Sequence, residues 1–230
     1  MADAPARTRD FAAERAAMVA EVEALYAETR LETGVAAMSP AVRAALGKVE
    51  RHRLVPPEQA PHAYRNHPLP IGDGQTISQP YIVALSTDLI DPKPEHVVLE
   101  VGTGSGYQAA VLAQIVRQVY TVEILARLAR EAQARLAALG CHNVEVRIGD
   151  GYAGWPEKAP FDGIIVTAAA PRVPPALVAQ LKAGGRMVVP VGEAFDIQYL
   201  LLLTKRADGG CDERRVLPVR FVPLVPGGGG

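Results

Sequence analysis

The sequence predicts an α/β fold: a doubly wound, mostly parallel sheet, preceded by N-terminal helices and closed at its C-terminal edge by an antiparallel hairpin. Three observations carry that prediction. Short apolar runs rich in β-branched residues, such as residues 97–101 and 163–167, alternate with longer segments of helical period, the pattern of parallel strands joined by right-handed crossovers. The first of these runs breaks into Gly102, Gly104 and Gly106 before a helical pattern resumes, so a buried strand must turn sharply into a helix there. The last two runs, residues 199–204 and 213–219, are joined through Asp208-Gly209-Gly210, which leaves no room for a crossover helix.

In order along the chain, residues 1–9 are small and polar and are expected to be disordered. Phe11, Val19, Val22, Leu25 and Tyr26 recur at helical spacing to about residue 32. Ser39 followed by Pro40 is an N-cap with a first-turn proline, and Val42, Leu46 and Val49 continue a helix to about Arg51. Residues 52–74, rich in proline, read as an extended, ordered loop. Ser78 is then placed as the N-cap of a helix carrying Ile82, Leu85 and Leu89, a position that also suits an anion beside free helix N–H groups.

Beyond the glycines, Val111, Leu112, Ile115 and Val116 mark one helix, and residues 125–139, closed by Gly140, another. Val144, Val146 and Ile148 alternate as a third core strand, and Phe161-Asp162 leads into a fourth that is apolar on both faces. Pro174 and Pro175 open a helix expected to end at Gly184-Gly185, and residues 187–191 form the fifth strand. Phe221-Val222-Pro223-Leu224 should lie back on the body, and glycines 227–230 should be mobile. The organisation is thus N-terminal helices and a substrate loop over residues 10–80, packed on a core over residues 81–226.

With 230 residues, 49% hydrophobic and 21% charged, the chain can bury one good-sized core. A net charge of −1 without a Lys/Arg block argues against the concentrated basic face that nucleic-acid binding needs. No run is apolar and long enough for a membrane span and no leader-like apolar segment opens the chain, so a cytoplasmic protein, acting as a monomer, is expected. Cys141 and Cys211 have neither a CxxC partner nor a histidine pair at metal spacing and read as packing residues. His52, His62 and His67 are the obvious metal or base candidates, but their spacings match no metal motif, and no metal is expected.

The glycine turn carries the chemistry. A dinucleotide-binding turn has Gly-x-Gly-x-x-Gly, with its last glycine packing the helix on the strand. Tyr107 stands at that position, and the spacing is instead Glu100-x-Gly102-x-Gly104-x-Gly106. A carboxylate aimed into the loop repels a pyrophosphate but accepts hydrogen bonds from an ammonium group, which suits S-adenosylmethionine. Thr103 and Ser105 fill the loop. Val119-Tyr120-Thr121-Val122-Glu123 is a second strand ending in an acid that can take both hydroxyls of a ribose, with Ile124 beside it, and Asp150-Gly151 follows the third strand where the adenine edge would lie.

These residues resemble the protein-L-isoaspartate O-methyltransferase family, from about Val42 to Leu224. The resemblance rests on Leu69-Pro70-Ile71-Gly72, Gly74-Gln75-Thr76-Ile77-Ser78-Gln79-Pro80, Leu99-Glu100-Val101-Gly102-Thr103-Gly104-Ser105-Gly106-Tyr107, Gly149-Asp150-Gly151, Val166-Thr167-Ala168-Ala169-Ala170-Pro171 and Arg220-Phe221-Val222-Pro223-Leu224. It implies a Rossmann-like class I methyltransferase fold, S-adenosylmethionine as cofactor, and damaged proteins carrying isoaspartyl residues as substrates. It also implies that Ser78 is the active-site residue, that Gln75, Thr76 and Ile77 line the cofactor and peptide site, and that Ile77, Ser78 and Val222 meet the substrate. A nucleophile that is already a carboxylate needs no general base, in keeping with the lack of a histidine or lysine at a catalytic spacing. Two other readings are a methyltransferase acting on a small molecule or RNA, and a cofactor-binding sensor for damaged proteins without turnover.

Overall fold

The computed structural model describes residues 9–193 and 196–227. Residues 1–8 and 228–230, most of the expected disordered start and glycine end, lie outside them; Arg9 is described and pairs with Glu14 at 2.7 Å. The first helix, α1 (Phe11–Thr33), begins at Asp10, whose carboxylate accepts from the Ala12 and Ala13 N–H groups, a cap worth about 1 kcal/mol. Gly34 ends it in the left-handed region. Helix α2 (Pro40–Lys48) starts as expected, with Ser39 accepting from Val42 N, but it stops before Arg51. Arg51 instead opens a short 3-10 turn and is wholly buried, its Nε donating to Ala63 O (2.8 Å) and its guanidinium lying 4.5 Å from the Tyr107 ring centre.

The segment expected to be an extended loop contains two 3-10 turns and then a hairpin, β1 (Leu69–Gly72) and β2 (Gln75–Ile77). Its tight turn is made by Gly72, Asp73 and Gly74, all at positive φ. Helix α3 (Pro80–Leu89) follows. Its N-cap is Gln79, without a side-chain bond, so Ser78 is not the cap and its hydroxyl is not engaged by the helix.

The remaining elements are β3 (Val97–Val101), α4 (Tyr107–Ala113), β4 (Gln118–Glu123), α5 (Ala126–Ala138), β5 (Val144–Ile148), β6 (Phe161–Val166), α6 (Pro175–Ala179), β7 (Leu181–Val191), β8 (Gln198–Lys205) and β9 (Cys211–Val219). Seven strands form one sheet in the order β5-β4-β3-β6-β7-β8-β9; the first five are parallel, and β8 and β9 add antiparallel at the edge. The chain leaves β3 toward β4 and β5, then returns to its other side with β6, so the winding reverses at β3 and opens a crevice at the carboxyl ends. Helix α6 is shorter than expected. It ends at Ala179 because Leu181 already pairs with Phe161, and Gly184-Gly185 lie within β7.

Alternate side chains of the central strands feed two cores. Val98, Val119, Ile165 and Val188 face the layer of α1 to α5, while Leu99, Val101, Ile164, Met187 and Val189 face Trp155, Phe161 and Leu177 on the opposite side. Cys141 is buried in the first core and Cys211 packs beside the second, neither bonded to the other. Among the described residues, no helix is long and apolar enough to cross a membrane.

Candidate active site

The reversal at β3 puts the glycine loop at the floor of a cleft of about 930 Å3, its open mouth included. Gly102 has φ +97°, and a Cβ there would collide with Thr167 Oγ1 at the end of β6. The loop therefore needs glycine for both conformation and approach. Gly106 (φ +88°) caps α4 and packs against Leu136; it does not itself line the cleft, and Tyr107 does.

The two acids at the strand ends engage the loop differently. Glu123, at the end of β4, accepts from Gly104 N (2.8 Å) and Leu125 N (3.0 Å), so it is Glu123 that fixes the loop. Each of its oxygens keeps a further lone pair for a hydroxyl. Glu100 lies opposite Thr121 in register and is completely buried. Its Oε2 accepts from Thr121 Oγ1 (2.6 Å), which is bonded in turn to Thr103 Oγ1 (2.7 Å), while its Oε1 has no partner among the described residues. Burial, with Glu123 adding repulsion and the Thr121 hydroxyl opposing, pushes the Glu100 carboxyl up to about 8.

The β1–β2 hairpin forms the facing wall. Gln75, Thr76, Ile77 and Ser78 line the cleft, and Asp73 at the tip is held by Arg127 of α5 at 2.8 Å. Thr103, Gly104, Ser105, Ile124 and Gly151 line it too. Asp150 does not: its carboxylate turns back to accept from Tyr152 N (2.8 Å), which leaves only Gly151 of that pair facing the cleft. The C-terminal segment reaches the cleft because Ala169 N donates to Val222 O (2.8 Å) and Leu224 N to Ala169 O (2.7 Å).

Behind the hairpin runs a second, wider groove, bounded by Leu25 of α1, Tyr81 of α3, Ile197 and the end of β9. Thr76, Ser78, Thr167 and Val222 line both cavities, so these side chains form the rim where the two meet. Sequence reasoning did not single out Thr167, Tyr107, Gln108 or Asp73 as site residues. Thr167 stood inside a distinctive motif, Val166-Thr167-Ala168-Ala169-Ala170-Pro171, but nothing in one strand's sequence tells which neighbouring loop its end will touch.

The histidines lie elsewhere. His52 stacks on Phe11 at 4.1 Å and meets the Tyr64 hydroxyl at 2.8 Å, His67 bonds Pro68 O at 2.9 Å, and His62 lines neither cavity. Among the described residues no cluster of His, Cys, Asp or Glu is arranged to hold a metal ion. Among them, too, no Lys, Arg or His lines the cleft, whereas Asp73, Glu100 and Glu123 do. The surroundings suit a cationic ligand with hydroxyls: an unpartnered buried carboxyl oxygen, a second carboxyl with lone pairs to spare, and a glycine floor without side chains.

A cation-seeking cleft over the carboxyl end of a glycine-turned parallel strand defines a Rossmann-like, S-adenosylmethionine-dependent methyltransferase. Residues 21–228 match the family model for protein-L-isoaspartate(D-aspartate) O-methyltransferase, and this chain belongs to that family. It is 60% identical over 208 residues to protein-L-isoaspartate O-methyltransferase 2 of Polaromonas sp. (strain JS666), covering 90% of this chain and 99% of that one. It is 58% identical over 215 residues to protein-L-isoaspartate O-methyltransferase 1 of Cupriavidus necator, covering 94% of this chain and 83% of the relative. A solved protein-L-isoaspartate O-methyltransferase superposes with a TM-score of 0.80 at 27% identity over 93% of this chain, which spans 66% of that longer chain. A solved Plasmodium falciparum protein, described as a putative member of the family in complex with S-adenosyl-L-homocysteine, gives 0.72 at 26% identity over 88% of this chain and 98% of its own.

Proposed function

We propose that this chain transfers the methyl group of S-adenosylmethionine to the free carboxylate of L-isoaspartyl, and D-aspartyl, residues in damaged proteins, giving a methyl ester that can return to aspartate through a succinimide. The observation that carries the reading is the position of Ser78 on the rim shared by the cofactor cleft and the open groove. When bound, the donor supplies an electrophilic methyl on a sulfonium. Everything else is alignment, which can contribute up to roughly 10 kcal/mol without a covalent step.

Glu123 holds the loop and offers its spare lone pairs to the ribose, Gly151 approaches the adenine, and Glu100 faces the methionine end. The groove takes the damaged chain in extended form against Ile77, Ser78 and Val222. The acceptor is the α-carboxylate exposed by the isoaspartyl linkage; such a group ordinarily titrates at about 3.3 to 3.7, so it arrives ionised and needs no base. Ser78 Oγ, free of the helix that follows it, donates to that carboxylate and holds one oxygen still while the other attacks. As carboxylate and sulfonium combine, opposite charges disappear, and a rim with no fixed charge favours the step.

Labelled S-adenosylmethionine, an isoaspartyl peptide and its aspartyl twin provide the test. Base-labile label on the first peptide alone is expected; label on neither, with the cofactor bound, would establish the sensor reading, which the joint presence of Ser78, Glu100 and Glu123 disfavours. We place the activity in the cytoplasm, where reduced thiols suit the unpaired Cys141 and Cys211, and in a monomer, which light scattering measures.

A further inference from the structure

We propose that this chain takes up its donor by proton exchange: Glu100 enters the complex as a carboxylate and surrenders its proton to solvent as the ligand's ammonium group settles against it. The inference rests on the methyltransferase reading and adds to it how the cation is paired.

Its basis is the way Glu100 is held. The side chain is wholly buried at the end of the central strand and lines the cleft. One oxygen takes the Thr121 hydroxyl at 2.6 Å, while the other, Oε1, is buried and meets no donor among the described residues. A buried carboxylate without a cation is costly, and such a group becomes neutral instead. The elements packed around it bring no counter-charge. From β4 come the uncharged Thr121 and the acidic Glu123; from α4, the Ala109 backbone N–H; from β6, Ile165 in register and Thr167 beyond it; from the hairpin, Asp73, already bonded to Arg127. None is a cation, and Glu123 raises the proton affinity further. Burial first, then that repulsion, pushes the Glu100 carboxyl to about 8, so it is mainly protonated near neutrality.

A ligand ammonium brought to the Glu100 carboxyl reverses the balance, because it supplies the counter-charge that the Thr121 hydroxyl and the Ala109 N–H do not. The proton then leaves to buffer: the neutral carboxyl plus ligand becomes the carboxylate–ammonium pair plus one solvated proton. By linkage, the dissociation constant falls about tenfold per pH unit below about pH 8 and levels above it, and near neutrality about 0.9 proton is released per ligand bound.

The test is isothermal titration of the full chain with S-adenosyl-L-homocysteine, which cannot turn over, in buffers of different ionisation enthalpy. Release of nearly one proton near neutrality, lost together with the pH slope in Glu100→Gln, is the expected result. Binding without proton release, or release that persists in Glu100→Gln, overturns the proposal while leaving the methyltransferase reading intact. Failure of the unaltered chain to bind the ligand at any pH sinks the reading itself. Should the variant not fold, difference infrared spectroscopy of the unaltered protein decides: ligand must abolish one protonated-carboxyl carbonyl band, and an unchanged spectrum refutes the exchange.

Discussion

Substituting alanine for Gly102 measures how tightly the end of β3 is built against the end of β6. Gly102 sits at φ +97°, and an added Cβ would run into Thr167 Oγ1. That hydroxyl points at Gly102 O (2.7 Å) and Val101 O (3.1 Å). A side chain held at this φ costs about 1–3 kcal/mol, and displacing the hydroxyl from its carbonyls costs about 1 more. Gly102→Ala should thus lose about 2–4 kcal/mol in urea unfolding with an unchanged denaturant slope. In a Thr167→Ala background the obstacle is gone, so the same substitution should cost only the backbone part, and the cycle should show a coupling of about 1 kcal/mol. That exceeds the few tenths expected of independent sites. An additive cycle, or a loss below about 1 kcal/mol in both backgrounds, would refute the close approach.

Ser78→Ala should cut kcat by tenfold or more, on the order of the 1.4 kcal/mol that one hydrogen bond to a charged group contributes, while S-adenosyl-L-homocysteine affinity stays within about twofold; an unaltered rate removes Ser78 from the chemistry. Glu123→Ala frees Gly104 N and Leu125 N as well as losing the ribose contact, so calorimetry should record weaker cofactor binding by tenfold or more, and unchanged binding would dismiss the assignment. Asp162 accepts from Val97 N (2.8 Å) and Lys182 Nζ (2.6 Å); burial raises its pKa, but those donors outweigh it and hold the carboxyl below its ordinary value. Its contribution is therefore complete above the unfolded value of about 3.9 and disappears as pH falls through the lower folded value. Asp162→Asn should flatten the acid limb of the stability curve, and an identical limb would show that the pairing is inert.

The parallel core was legible because strands buried on both faces are apolar along most of their length, as Val97-Val98-Leu99 and Ile164-Ile165-Val166 are. Residues 97–101 and 163–167 read as such strands because each run is too short for a helix and a glycine turn follows the first. The β1–β2 hairpin was not, since Leu69-Pro70-Ile71-Gly72 and Gln75-Thr76-Ile77 are too short to show alternation and carry a proline and a glycine that ordinarily mark loops. Lys182-Ala183 continues the helical composition of Ala176 to Leu181, and only pairing of Leu181 with Phe161 ends α6 early. At the site, Glu100, Glu123 and the loop glycines were visible through their spacing. Which acid binds the loop and which stands bare was not, because that depends on Glu100 facing Thr121 across the sheet rather than on its neighbours in the chain. Asp150 shows a related ambiguity: an acid flanked by glycines suits a ligand and an Asx-type turn equally well, and here one of its oxygens accepts from Tyr152 N.

On the proposed reading, the rim of Thr76, Ser78, Thr167 and Val222 has a consequence for selectivity. Only a carboxyl group needs to pass it, and the carboxyl of a damaged linkage is chemically almost the same as that of an ordinary aspartate. If the second groove seats the substrate as proposed, discrimination is exercised outside the rim, by how its walls from Leu25 to Phe221 hold the neighbouring main chain and so decide which acid is carried to the opening. Changes on those walls should alter which proteins are mended, while the methyl donor on the far side registers nothing.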